Sequence, residues 1–132
     1  RLVAAIELVS PSNKHSPESR ATFVSKVAEL LKHDICVSIV DVVSTRHANL
    51  YAELLSRLQS HDPAVSDPAP AMYAVTSRLR NQGVKPMMDN WYYPLVVGQP
   101  LPSLPIWLTT ELAVSLPLES SYEESCRTLR IR

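Results

Sequence analysis

The chain has 132 residues, 45% hydrophobic and 20% charged, with Lys+Arg 13 balancing Asp+Glu 13; this is the length and composition of one globular domain with its own core. The zero net charge argues against a dedicated nucleic-acid binder, whose affinity rests on a basic excess, but not against an enzyme that touches nucleic acid briefly. No apolar run approaches the roughly 20 residues of a membrane-spanning helix and no leader-like segment is legible, so a cytoplasmic protein without a membrane partner is expected.

Leu2 to Val9 is an apolar run that predicts a buried strand, with one carboxylate, Glu7, inside it. The chain opens at Arg1 rather than Met and enters this strand at once. It therefore reads as the C-terminal part of a longer protein, with residues 1–132 as a single α/β domain. Ser10-Pro11-Ser12-Asn13-Lys14 then forms a polar turn. Ser16-Pro17-Glu18 is a helix start: a Ser cap, Pro in the first turn, and an acid facing the positive helix end. Phe23, Val27, Leu30 and Leu31 recur at helical spacing through His33, with Lys26 at the border of the stripe. Ile35 to Val43 predicts a second strand, with Asp41 near its end. A strand–helix–strand of these lengths is a crossover unit, so the two strands are expected to run parallel.

Asn49 to Leu58 predicts a short helix, and His61 to Pro70 a linker. Met72 to Leu79 and Met87 to Val97 predict a hairpin-like pair around Asn81-Gln82-Gly83. From Gly98 to Pro105 prolines dominate, which predicts an extended arm rather than a strand interior. Glu111 to Leu118 reads as a short edge strand and Glu119 to Leu129 as a helix. The expected architecture is α/β: a mixed sheet, with the Pro-rich C-terminal arm and the terminal helix covering one face.

With two glycines and 11 prolines, Gly-rich phosphate loops of the Rossmann and Walker types are excluded. Cys36 and Cys126 make no disulfide framework, and His15, His33, His47 and His61 show no zinc-like spacing with cysteine.

The words Ile6-Glu7-Leu8-Val9-Ser10-Pro11-Ser12-Asn13-Lys14, then Arg20, Lys26 and Val40-Asp41, resemble a bacterial family known as domain of unknown function 4058. Trp91-Tyr92-Tyr93-Pro94-Leu95, Gln99-Pro100-Leu101-Pro102, Ser121-Tyr122-Glu123-Glu124, Cys126-Arg127 and Leu129-Arg130-Ile131 agree with it. Members of that family extend further at the amino end. More distantly, the Glu-x-x-Ser-Pro-Ser turn followed by a helical lysine is similar to restriction-endonuclease-like proteins of the PD-(D/E)XK superfamily. That resemblance implies a restriction-endonuclease-like strand–helix–strand core and a Mg²⁺-dependent nuclease acting on DNA, or a domain derived from one. Glu7 would be the strand acid and metal ligand, Ser10 would stand where the usual lysine is lost, and Lys26 would be the migrated catalytic lysine. The earlier Pro-Asp strand of that superfamily has no counterpart after Arg1, so cleavage is not expected of this chain alone.

Each candidate carries a structural alternative. Glu7 holds a metal or pairs with Lys14, Arg20 or Lys26, because a carboxylate in an apolar strand needs a partner. Asp41 joins Glu7 on the metal, or is an exposed strand-end acid or a partner for Arg46. Lys26 stabilises a phosphate transition state or extends to water. Lys14 and Asn13 contact a phosphate or serve the turn. Arg20 binds phosphate or pairs with Glu7. Ser10 has no histidine at triad spacing, so a serine hydrolase is set aside. Trp91, Tyr92 and Tyr93 form an aromatic cluster that stacks bases, receives a protein partner together with the Pro-rich arm, or packs the arm on the core. A non-catalytic interaction domain that keeps the fold is the alternative to the nuclease.

Overall fold

The computed structural model describes residues 1–82 and 85–129. Strand β1 (Ala4–Leu8), a one-turn 3-10 helix (Pro11–Lys14), α1 (Pro17–Lys32), β2 (Cys36–Asp41) and α2 (Leu50–Arg57) come first. They are followed by β3 (Tyr73–Gln82), β4 (Lys85–Pro94), β5 (Ser103–Trp107), β6 (Ala113–Pro117) and α3 (Leu118–Leu129). The sheet order is β1-β2-β3-β4, with β1 parallel to β2 and the other two pairings antiparallel, so the sheet is mixed as expected. The turn residue Gly83 of the expected hairpin, and Arg130-Ile131, lie outside the described residues.

Helix α1 begins where the sequence signals it. Ser16 accepts a hydrogen bond from the Ser19 amide at 3.1 Å, and Pro17 occupies the first turn, where no N–H is needed. Asn49 caps α2 in the same way through the Ala52 amide at 2.9 Å. Both helices bury their apolar faces on one side of the sheet. Phe23, Val27 and Leu31 of α1 meet Leu50, Leu54 and Leu55 of α2 over Val37, Ile39 and Val75. At about 1.5–3 kcal/mol for each fully buried aliphatic or Phe side chain, this layer dominates the stability.

The opposite face carries a smaller cluster of Val40, Ala74 and Leu104, covered by the β5–β6 hairpin. Here the arm departs from expectation, because its end is strand β5 with Pro105 inside it. Even-numbered residues flanking β5 bond toward the β6 side, Leu108 N donating to Leu112 O at 2.8 Å and Pro102 O accepting from Leu118 N at 3.2 Å, whereas the Trp107 amide turns outward to Cys36 Sγ at 3.4 Å. Pro105 shares the outward parity of Trp107, so its missing N–H removes no ladder bond.

β1 also differs from the buried strand expected of it. Lying at the sheet edge beyond the reach of the hairpin, it leaves Ile6 49% and Leu8 72% exposed. The fully buried strand is β2 at the centre, where Ser38 is accommodated by a 2.6 Å hydroxyl contact with Thr76. Among the described residues no helix is long and apolar enough to cross a membrane.

Candidate functional site

Strand alternation puts Ala5, Glu7 and Val9 on the helix-covered face of β1, and Glu7 stands beside Ile39 in the register. Helix α1 crosses that face and delivers Lys26 to it. Lys26 Nζ lies 2.9 Å from Glu7 Oε1, with side chains 59% and 18% exposed. Carboxylate and amine therefore share one hollow, an open cleft of about 360 Å³ between the end of β1, the 3-10 turn and α1. Of the alternatives for Glu7, its partner is Lys26 rather than Lys14 or Arg20.

The rest of the cleft is polar at its rim. Ser12 and Asn13 line it from the turn, and Ser19 and Thr22 from α1, with Phe23 at its base. Ser12, Ser19 and Thr22 were not among the sequence candidates. The signal was present: Ser19, Thr22 and Lys26 are spaced three and four apart, one face of a helix bordering the apolar stripe. Asn13 lines the cleft as proposed, but its Oδ1 also accepts from the Ser10 amide at 2.8 Å and the Ser10 hydroxyl at 2.9 Å.

Four sequence assignments need correction. Ser10 does not line the cleft. Its hydroxyl is bound within its own turn, to Asn13 and to Ser12 at 2.9 Å. Lys14 has no surface from which to reach a phosphate. Its side chain is 0% exposed, its Nζ donating to Val43 O and Ala71 O at 3.1 Å each and pairing with Asp41 at 3.0 Å. Asp41 is correspondingly sealed, neither an exposed strand-end acid nor a partner of Arg46, and does not share the cleft with Glu7. Arg20 points to α2, where its Nε pairs with Glu53 at 3.2 Å, so its carboxylate partner is not Glu7.

The aromatic trio is not a cluster either, because consecutive strand residues face opposite ways. Tyr92 enters the helix-side core and stacks 5.2 Å from Tyr51 and 6.0 Å from Tyr73. Trp91 faces the hairpin, 5.5 Å from Trp107, while Tyr93 remains partly exposed.

A Mg²⁺ ion wants near-octahedral oxygen ligands, usually one or two carboxylates with waters and substrate oxygens. The cleft lining holds one carboxylate, Glu7, and an ammonium already stands at its Oε1. Among the described residues no group of three or more His, Cys, Asp or Glu side chains is placed to hold a metal ion. The described residues taken alone therefore do not fit Mg²⁺. What they offer is a fixed cation, a neutralising carboxylate and a rim of hydroxyl and amide groups.

Comparison of the chain with protein-family models, with curated proteins and with solved structures gives no match.

Proposed function

We propose that this chain is a nuclease-derived domain whose Glu7–Lys26 cleft receives a phosphodiester of DNA without hydrolysing it. The supporting observation is the placement of the β1 carboxylate and the α1 ammonium 2.9 Å apart in one open cleft. The more distant resemblance of the Glu-x-x-Ser-Pro-Ser turn and helical lysine to PD-(D/E)XK proteins points the same way. In this proposal the β1–α1–β2 unit, with its parallel strands, is what this chain holds of a restriction-endonuclease-like core.

The chemistry divides between the two charged groups. Lys26 is 59% exposed on a flexible stem, so its ammonium exchanges Glu7 for a phosphate oxygen at small cost. Glu7 competes with the incoming phosphate. Hydrolysis along the superfamily's lines requires further oxygen ligands for a metal, and Glu7 alone does not supply them. The non-catalytic form is preferred on that ground. With no net charge on the chain and few phosphate contacts, affinity is weak, and its salt slope is set by those few contacts.

The test is fluorescence anisotropy of a labelled duplex oligonucleotide with the full chain at low salt, in Mg²⁺ and in EDTA. Binding is expected in both buffers, several-fold weaker in Lys26→Ala and several-fold tighter in Glu7→Gln. The logarithmic salt slope falls by about 1 when the lysine contact is removed. Binding indifferent to both substitutions, or none at high micromolar protein, defeats the proposal. Nicking of plasmid DNA in Mg²⁺ that disappears in Glu7→Gln defeats its non-catalytic form.

A further inference from the structure

The helix-free face of the sheet carries a second concavity, about 320 Å³, between the start of β2, the far half of β3 and the β5–β6 hairpin. We infer that it is a binding site for a small oxyanion, a carboxylate or a phosphate. Two arginines define it. Arg78 and Arg80 share the strand parity of Ala74, which packs under the hairpin, so both guanidinium groups lie on the face opposite Glu7 and Lys26.

Both guanidinium groups are held before any ligand arrives. Asp89, opposite Arg78 in the β3–β4 register, accepts from Arg78 Nε at 3.0 Å. It also accepts both Nε and a terminal nitrogen of Arg80, the latter at 3.1 Å. Arg78 donates a terminal nitrogen to Thr110 O at 3.0 Å. Its guanidinium carbon lies 3.8 Å from the centre of the Trp107 ring and 5.6 Å from that of Trp91. Stacked and forked in this way, the side chains lose little further rotamer freedom on binding.

The charge balance favours an anion. Arg1, Arg78 and Arg80 line the concavity with Asp34, and Asp89 lies behind them, so three guanidinium groups face two carboxylates. The Arg78, Arg80 and Asp89 side chains are only 15–24% exposed, so their charges are less screened than surface ones, and the extra positive charge is that of the exposed Arg1. A guanidinium carries five N–H donors, and the bonds above leave terminal N–H groups of both arginines free within the described contacts. The buried Trp107 Nε1–H of the same cluster also finds no acceptor among the described residues. Planar forks with spare donors match carboxylate and phosphate oxygens better than any neutral ligand. The Trp107 side chain adds an apolar wall, and the size is at the lower end of small-molecule sites, roughly 300–1,000 Å³.

The chain has two tryptophans, and both belong to this cluster, so indole fluorescence reports on this face alone. The experiment titrates the full chain with sodium phosphate and, separately, with sodium citrate at ionic strength held constant with sodium chloride. A saturable fluorescence change with a low-millimolar midpoint is expected in at least one titration. A response to phosphate alone assigns a phosphate ligand, and one to citrate alone a carboxylate. Arg80→Gln raises the midpoint at least tenfold, whereas Lys32→Ala, an equal loss of charge on exposed α1 surface, leaves it within twofold. Asp89→Asn keeps both arginines, removes the competing carboxylate and lowers the midpoint several-fold. No saturable change in either titration, an unchanged midpoint in Arg80→Gln, or a raised one in Asp89→Asn overturns the inference.

Discussion

Lys14 and Asp41 meet with their charged atoms 3.0 Å apart and neither side chain exposed. The ammonium also holds Val43 O and Ala71 O, and Asp41 Oδ1 accepts the Val43 amide at 2.9 Å. One buried cation thus ties the turn after β1 to the end of β2 and to the segment entering β3. Two residues that look functional in the sequence are a structural clamp.

Breaking such a pair from one side leaves an uncompensated buried charge, at a cost of about 3–5 kcal/mol. Lys14→Met is expected to lose that much in urea unfolding at neutral pH, and Lys14→Met with Asp41→Leu considerably less. The loss depends on pH. Burial holds the Asp41 carboxyl above its ordinary range, against the lowering effects of the Val43 amide and Lys14. A raised folded pKa means that the native state holds the proton more tightly than the unfolded chain. Its contribution is complete below the unfolded value of about 4 and is lost as pH rises through the folded one. Removing Lys14 raises the folded value further, so the Lys14→Met deficit shrinks on acidification from neutral pH toward about 4. A deficit constant over that range contradicts this account.

Tyr73 is fully buried, and its hydroxyl accepts the Tyr51 amide in the first turn of α2 at 3.2 Å. That amide has no partner within its own helix. Tyr73→Phe removes the acceptor and adds no volume, so the expected cost is the desolvation of one N–H, about 1–3 kcal/mol. Hydrogen exchange adds a local readout: the Tyr51 amide should lose more protection than the amides of β2. Equal losses at both places assign the hydroxyl no special part in seating α2.

How much of this was legible depends on the range over which each feature is encoded. The start of α1 was readable because Ser16, Pro17 and Glu18 act within one turn. The parallel β1–β2 pair followed from the strand–helix–strand spacing, and the β3–β4 pair from alternation. The burial of Lys14 was not readable, because its acceptors lie 29 and 57 residues away and meet it only when the chain closes. Strand β5 was hidden because proline argues against strands unless the free edge is known, and that edge is set by β6. For the cleft, Glu7, Lys26 and Asn13 were found from chemistry, and Ser12, Ser19 and Thr22 were missed because the neutral residues beside Lys26 on the helix face were not followed. Trp91, Tyr92 and Tyr93 show the opposite error, since a period of two would have separated them.

Asp89 gives a pH dependence of the opposite sign to Asp41. Hydrogen bonding to Arg80, with Arg78 behind it, holds its carboxyl below the ordinary range despite partial burial. A lowered folded pKa contributes stability that is present above the unfolded value of about 4 and lost as pH falls through the folded one. Asp89→Asn should therefore weaken the protein at pH 5–7 and flatten its acid unfolding below about 4. The pair is partly solvated, so the difference at neutral pH stays near 1 kcal/mol or below. A wild-type acid limb identical to that of Asp89→Asn contradicts the assignment.

The Glu7–Lys26 pair differs physically from Lys14–Asp41, although both are lysine–carboxylate contacts of about 3 Å. Lys26 is more than half in water, so the Coulomb gain is screened and the entropy of holding a long side chain offsets much of the rest. Exposed pairs of this kind contribute about 0–1 kcal/mol. Glu7→Gln and Lys26→Ala should each change the urea-unfolding free energy by less than about 1 kcal/mol, against several for Lys14→Met. The contrast matters for function, because a charge pair that the fold does not need is free to exchange its partner for a ligand. A loss of 3 kcal/mol or more in Lys26→Ala would make the pair a second clamp. The cleft would then have no cation to offer a phosphodiester.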